Sequence, residues 1–355
     1  MPSSQAQADL WRHTLYYLTS MGLRCAVKLG IPTAIHNLGG VSSLPDLAAA
    51  LSIPASKQPF LGRLMRALVT SGVFANGKER LLGGLFRLNP LSRILVEGVV
   101  AEEHHSQTSF VLAGTSRHYM EAALGMADWF KKDATGPVPT VFEDVHSASL
   151  FDESTAALDP ELDALVTEGL AAHDNLGIGT IIREFHDLFK GLVSLTDFCC
   201  GDGTTSRAIT KAHPHVKFTV LDLPKVIDKT PSDGIVNYFA GDLFHTVPKA
   251  QAVMLKLVLH HLSYEDCFKI LTQCKDAIPS REEGGKVIVI DIVVAPSLGQ
   301  VMFKEQTLMD ILMLVFTRGR QRSENNWHEL FTKAGFSDYK IVKKLGARGV
   351  IEVYK

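Results

Sequence analysis

The chain has 355 residues, of which 46% are hydrophobic and 21% charged, with a formal net charge of −2. That length and apolar content suit one large globular domain plus a smaller one, and the lack of a dominant basic stretch argues against nucleic acid as the partner. MPSSQAQADLWRHTLYYL has no basic region leading into an apolar run, and no run approaches a membrane span. Five cysteines scattered at 25, 199, 200, 267 and 274 do not form a disulfide framework, so a reducing, cytoplasmic location is expected.

Residues 1 to about 108 read as mostly helical. Trp11, Leu15, Leu18, Met21 and Cys25 recur at helical spacing, as do Leu61, Leu64, Met65 and Leu68. Between them, GGVSSLPDLAAAL places a Ser/Pro start before an apolar-periodic helix. RALVTSGVFANGKERLLGGLFRLNPLSRIL then predicts a helix, a turn at Asn76-Gly77 and a short strand pair. Helices followed by a small hairpin suggest a winged-helix-like module, which in a neutral chain serves dimerisation better than DNA reading. From about residue 190 the texture changes to short apolar runs: LVSLTDF, VKFTVLD, IVNYFAG, AVMLKLVL and KVIVIDIVV. Segments of helical length separate them, which implies a parallel α/β sheet covered on both faces. SDYKIVKK and RGVIEVYK are joined too tightly for a crossover and predict an antiparallel hairpin at the sheet edge. Such an ending suits a methyltransferase sheet better than a dehydrogenase one.

Ligands of doubly wound sheets bind at the carboxyl ends of the strands. The first of these strands runs into Asp197-Phe198-Cys199-Cys200-Gly201-Asp202-Gly203 before a helix opens. The second ends at Asp222, nineteen residues after Gly203, where a carboxylate can accept both ribose hydroxyls of an adenosine. This much also describes dinucleotide binding, but Ser206 stands where that fingerprint wants a third glycine. The third strand is followed by Gly241-Asp242-Leu243-Phe244, with a carboxylate positioned for an adenine amino group.

LTDFCCGDGTTSRAI, VLDLPKVI, AGDLFHTVPKAQAV, LKLVLHHLSYEDCFKIL and GGKVIVIDIVV resemble, in order and spacing, the plant caffeate/flavonoid-type O-methyltransferases. QAQADLWRHTLYYLTSMGLRCAVKLGIPTAI resembles that family's dimerisation domain, particularly that of grass members. The resemblance covers essentially the whole chain. It implies a Rossmann-like methyltransferase fold behind a helical, winged-helix-like dimerisation domain at 1–108. The methyltransferase domain would span 109–355, with a helical lead-in at 109–189 and the Rossmann-like core at 190–355. It also implies a homodimer, S-adenosylmethionine without metal, and a small phenolic or indolic acceptor. Carried over by motif, the cofactor contacts are Cys199, Gly201, Asp222, Leu223, Asp242, Leu243 and Lys256. The general base is His260, with Asp291 and Gln321 at the two flanking acidic positions.

A phenol is mostly protonated at neutral pH, and histidine suits the task of taking its proton. Asp291, expected just beyond the fifth strand's apolar run, would orient the imidazole and stabilise its protonated form. His260-His261 does not suggest a metal site, because neighbours at a strand end are expected to point apart and no ligand set accompanies them. Met309 and Met313, four apart on a helical stretch, are candidate acceptor-lining residues.

The chain departs from the family pattern at three places. Cys199-Cys200 replaces Gly-Gly in the loop, and Asp202 adds charge near the cofactor's carboxylate; Leu262 replaces a tryptophan beside adenine; Gln321 replaces a glutamate beside the base. These substitutions leave open an N- or S-methyltransferase, or a member that has lost or repurposed methyl transfer.

Overall fold

The computed structural model describes residues 3–77, 84–98, 106–151, 153–198, 201, 203–228, 230 and 234–355. The chain divides into two compact units, Met1–Met120 with Pro160–Leu176, and Glu121–Asp159 with Gly177–Lys355.

The first unit opens with the helix Ser4–Lys28, capped by the Ser3 hydroxyl, which accepts from the Ala6 N–H. Of the periodic apolar residues on this helix, Trp11, Leu15 and Leu18 are exposed, together with Leu10 and Tyr16. The helix Leu44–Ala50 starts where Ser43 caps it, and Gln58–Thr70 buries Leu61, Met65 and Leu68. These side chains share a core with Ala26, Ile31, Ile35, Leu47, Phe74 and Leu88. Strands β1 (Val41–Ser42), β2 (Ala75–Asn76) and β3 (Phe86–Arg87) form a small antiparallel sheet in the order β1-β3-β2. The expected strand pair is therefore present, but Asn76 lies inside β2, paired with Phe86, instead of turning the chain. Residues 78–83, where the connection falls, lie outside the described residues.

The second unit holds β4 (Ser194–Phe198), β5 (Lys217–Asp222), β6 (Asn237–Ala240), β7 (Ala252–Lys256), β8 (Lys286–Val294), β9 (Arg322–Ser323), β10 (Asp338–Leu345) and β11 (Arg348–Tyr354). Their order is β10-β11-β8-β7-β4-β5-β6, with β9 paired to β8. The strands from β4 to β8 pair in parallel, whereas β11 runs antiparallel to both β8 and β10. The terminal hairpin thus sits at the sheet edge, as its tight connection requires. One apolar cluster joins Leu255, Val289 and Ile351 to the helices Tyr264–Ala277 and Glu324–Lys333. Another joins Val220, Met254, Ile290 and Val350 to Ile181, Phe189 and Ile209. Two such layers explain why every residue of β7 is buried and why its sequence does not alternate. The strand order reverses at β4, between β5 and β7, which is where a parallel sheet opens its ligand crevice.

Candidate active site

Asp197 of β4 is fully buried, and Ser206 donates its hydroxyl to Asp197 Oδ2 at 2.6 Å. The residue at the place of the missing third glycine therefore ties the helix Thr204–Ala212 back to the strand before it. The turn into that helix needs left-handed backbone at Gly201 (φ +60°) and Gly203 (φ +74°), which glycine adopts without strain. Cys199, Cys200 and Asp202 lie outside the described residues.

The Gly201 N–H donates to Asp222 Oδ2 at 3.0 Å, and the Leu223 N–H to Oδ1 at 2.7 Å. Burial raises the Asp222 pKa, while these two donors and the charge of Lys225 oppose the rise. Leu223 presents its side chain to solvent just beyond the carboxylate. One strand further out, Asp242 Oδ1 accepts from the Phe244 N–H and Oδ2 lies 2.9 Å from His245 Nδ1. Leu243 and Leu262 pack against the core cluster beneath. Lys256 closes β7 and is buried. The strand ends thus gather Gly201, Asp222, Leu223, Asp242, Leu243 and Lys256 along one edge of the sheet.

His260 lies in a short 3-10 turn, Leu259–His261, that follows β7, and only 2% of it is exposed. Its Nδ1 sits 3.0 Å from Asp291 Oδ1. The approach is at ion-pair distance but off the angle of a good hydrogen bond. Asp291 also accepts the His260 N–H on Oδ2 at 3.2 Å and the Ile292 N–H on Oδ1 at 2.7 Å. Asp291 is fully buried and lies inside β8, opposite Gly349 of β11, not beyond the strand as the apolar run suggested.

The expectation that His260 and His261 point apart is overturned. Their Nε2 atoms lie 2.9 Å apart and their rings are nearly perpendicular, because the backbone here is a tight turn and not an extended strand. Phe151 meets the His261 ring at 5.1 Å between centroids. Among the described residues, no group of three or more His, Cys, Asp or Glu side chains could hold a metal ion.

Gln321 is 3% exposed, and neither polar atom of its amide finds a protein hydrogen-bond partner, while its N–H donates to Asp310 Oδ1 at 2.6 Å. On the helix Gln300–Phe316, Met313 is buried and takes a contact from the Thr317 hydroxyl on its sulfur at 3.7 Å, whereas Met309 is half-buried.

Sequence reasoning gave no role to Arg322, which the structure places at the centre of the turn's support. Its guanidinium donates to the Leu259 carbonyl at 2.8 Å, the Leu262 carbonyl at 3.1 Å and Cys267 Sγ at 3.3 Å, and it lies over Trp327. Burial pushes the Cys267 thiol up to about 12, so it stays protonated and donates to the Leu259 carbonyl. Gly319 is packed so closely that a Cβ there would fall 1.9 Å from the His260 carbonyl oxygen. The sequence held little signal for it: Arg322 is the third arginine of a polar run, TRGRQRSENN, and only its place next to Gln321, a residue already singled out, marks it.

A family model described as an O-methyltransferase domain matches residues 124–337, and an O-methyltransferase dimerisation domain matches 11–98. The chain belongs to the O-methyltransferase family. It is 63% identical to "Probable O-methyltransferase 2" of Sorghum bicolor, over 99% of this chain and 95% of that protein. It is 59% identical to a "Flavonoid O-methyltransferase-like protein" of Oryza sativa, over 98% and 95% of the two. Among solved structures, "CalO1, Methyltransferase in Calicheamicin Biosynthesis, SAH bound form" shares the fold, with a TM-score of 0.79, 24% identity and all of both chains covered. This O-methyltransferase therefore has its buried pair, Asp291 within the sheet and His260 in the turn after β7, beside the strand ends that carry the glycine turn and two carboxylates.

Proposed function

We propose that this O-methyltransferase methylates a hydroxyl of a small phenolic or related plant metabolite, with S-adenosylmethionine as donor and His260 as general base. The observation that carries the reading is the buried His260–Asp291 pair immediately after β7. The likeness to the rice flavonoid-type protein supports a phenolic acceptor.

The donor supplies a methyl group carried on a sulfonium. The residues at the strand ends fit its adenosine. Asp222 accepts one backbone N–H on each oxygen and keeps lone pairs on both for ribose hydroxyls. Leu223 and Leu243 supply apolar contact, Asp242 an acceptor for an amino group, and Lys256, with the loop at Cys199, completes the set. His260 Nε2 takes the acceptor's proton, and Asp291 stabilises the imidazolium that results. Gln321 adds an uncharged amide in this neighbourhood, leaving Asp291 as the main support of the base. On this reading 1–108 is the dimerisation domain and 109–355 the methyltransferase domain, in a cytoplasmic homodimer. The exposed Leu10, Trp11, Leu15 and Leu18 support association of the first helix with a second copy, and the buried free thiols of Cys267 and Cys274 suit a reducing compartment.

The test is turnover of His260→Ala on a panel of phenols and aromatic amines. Loss of a general base predicts a fall in kcat on phenols of about 10²–10⁴-fold, with donor binding retained. Unchanged phenol turnover, or a profile confined to amines, would overturn the assignment.

A further inference from the structure

We propose that His261 is a positioning residue that occupies the acceptor hydroxyl's place on His260 and must be displaced before an acceptor can reach the base; this rests on His260 being the base. Two neutral imidazole nitrogens 2.9 Å apart must share one proton, since two bare lone pairs repel and two N–H groups clash. Asp291 decides which nitrogen carries it. Its Oδ1 is 3.0 Å from His260 Nδ1, and although the approach is off the hydrogen-bond angle, a bare nitrogen that close to a carboxylate is disfavoured against an N–H. The proton of His260 therefore sits on Nδ1, its Nε2 is the acceptor, and His261 Nε2–H is the donor.

That donor sits where an acceptor's hydroxyl must come. Proton abstraction requires the hydroxyl within hydrogen-bond reach of His260 Nε2, on the lone pair that His261 now holds. The edge of the Phe151 ring lies against His261, and His261 is half-buried where His260 is almost fully buried, so the displaced ring is the outer one of the pair. Binding becomes an exchange of one donor for another. A phenolic O–H donates more strongly than an imidazole N–H and wins the exchange.

Imidazole nitrogen NMR of the wild-type protein reads the first half without turnover. The expected pattern is protonated Nδ1 and bare Nε2 on His260, with protonated Nε2 on His261, and loss of the His261–His260 contact when catechol and S-adenosylhomocysteine are added. A protonated His260 Nε2, or a contact that survives saturation with catechol, would overturn the proposal. Kinetics of His261→Ala read the second half: the KM falls roughly three- to tenfold for a phenol and for an aniline that needs the same nitrogen, with kcat changed less. A kcat loss as large as that of His260→Ala, or a phenol KM unchanged or raised, would also overturn it. Failure of the base reading is separate, because it shows as phenol turnover that survives His260→Ala.

Discussion

Asp222, proposed to hold the donor's ribose, would couple its own burial to that binding. Its pKa is raised first by burial, against two backbone donors and Lys225. A carboxylate with a raised folded pKa favours the fold below its unfolded pKa and loses that contribution as pH rises through the folded value. At neutral pH the ionised group is therefore held at a local cost that Gly201 and Leu223 offset. Ribose hydroxyls donate best to the ionised form, so S-adenosylmethionine affinity should weaken as pH falls, starting above the range of an ordinary aspartate. Calorimetry across pH checks this, with Asp222→Asn expected to weaken binding roughly tenfold or more and to flatten the trend. A wild-type affinity that ignores pH would refute it. The placement of Asp222, Asp242 and Lys256 at strand ends, and of His260 past the end of β7, was legible, because runs such as VKFTVLD show where each strand stops. Ser206 and Arg322 were not, because what they bond, a carboxylate on β4 and carbonyls sixty residues away, leaves no local mark.

At the scale of the element, the 259–262 turn that presents His260 is held from outside itself. Arg322 satisfies two of its carbonyls, and Gly319 lets the 317–321 segment lie against its backbone. Arg322→Ala leaves those buried acceptors unpaired, which should cost about 3 kcal/mol and lower Tm. Gly319→Ala forces the His260 backbone to move, because 1.9 Å is far inside any real contact, and kcat should fall more than donor binding does. Thermal melts and kinetics of both variants check this; wild-type Tm and kcat in both would show that the turn holds itself. The parallel strands and the terminal hairpin were readable from short apolar runs and a tight connection. The 3-10 turn was not, since His260-His261 reads equally well as a strand end, and so the meeting of the two rings was missed. Asp291 was set too late because a charge inside KVIVIDIVV looks like an end, when it is a buried partner in mid-strand.

Across the whole molecule, the change from helical texture to alternating strands near residue 190 was visible in the sequence. That the helix Pro160–Asn175 packs on Thr108–Gly114 was not, because its basis is Gly169, where a Cβ would meet the Ala113 side chain and the Ser109 carbonyl at 3.1 Å. No helix among the described residues is long and apolar enough to cross a membrane. The departures from the family pattern, at Cys199-Cys200, Leu262 and Gln321, fall at positions proposed to serve the cofactor and the base, so retention of cofactor binding is what the account most depends on. The direct measurement is calorimetric titration of the purified protein with S-adenosylmethionine and, separately, with S-adenosylhomocysteine. The account predicts micromolar binding of both at neutral pH. No detectable binding of either would contradict it, leaving an O-methyltransferase fold that does not use the donor.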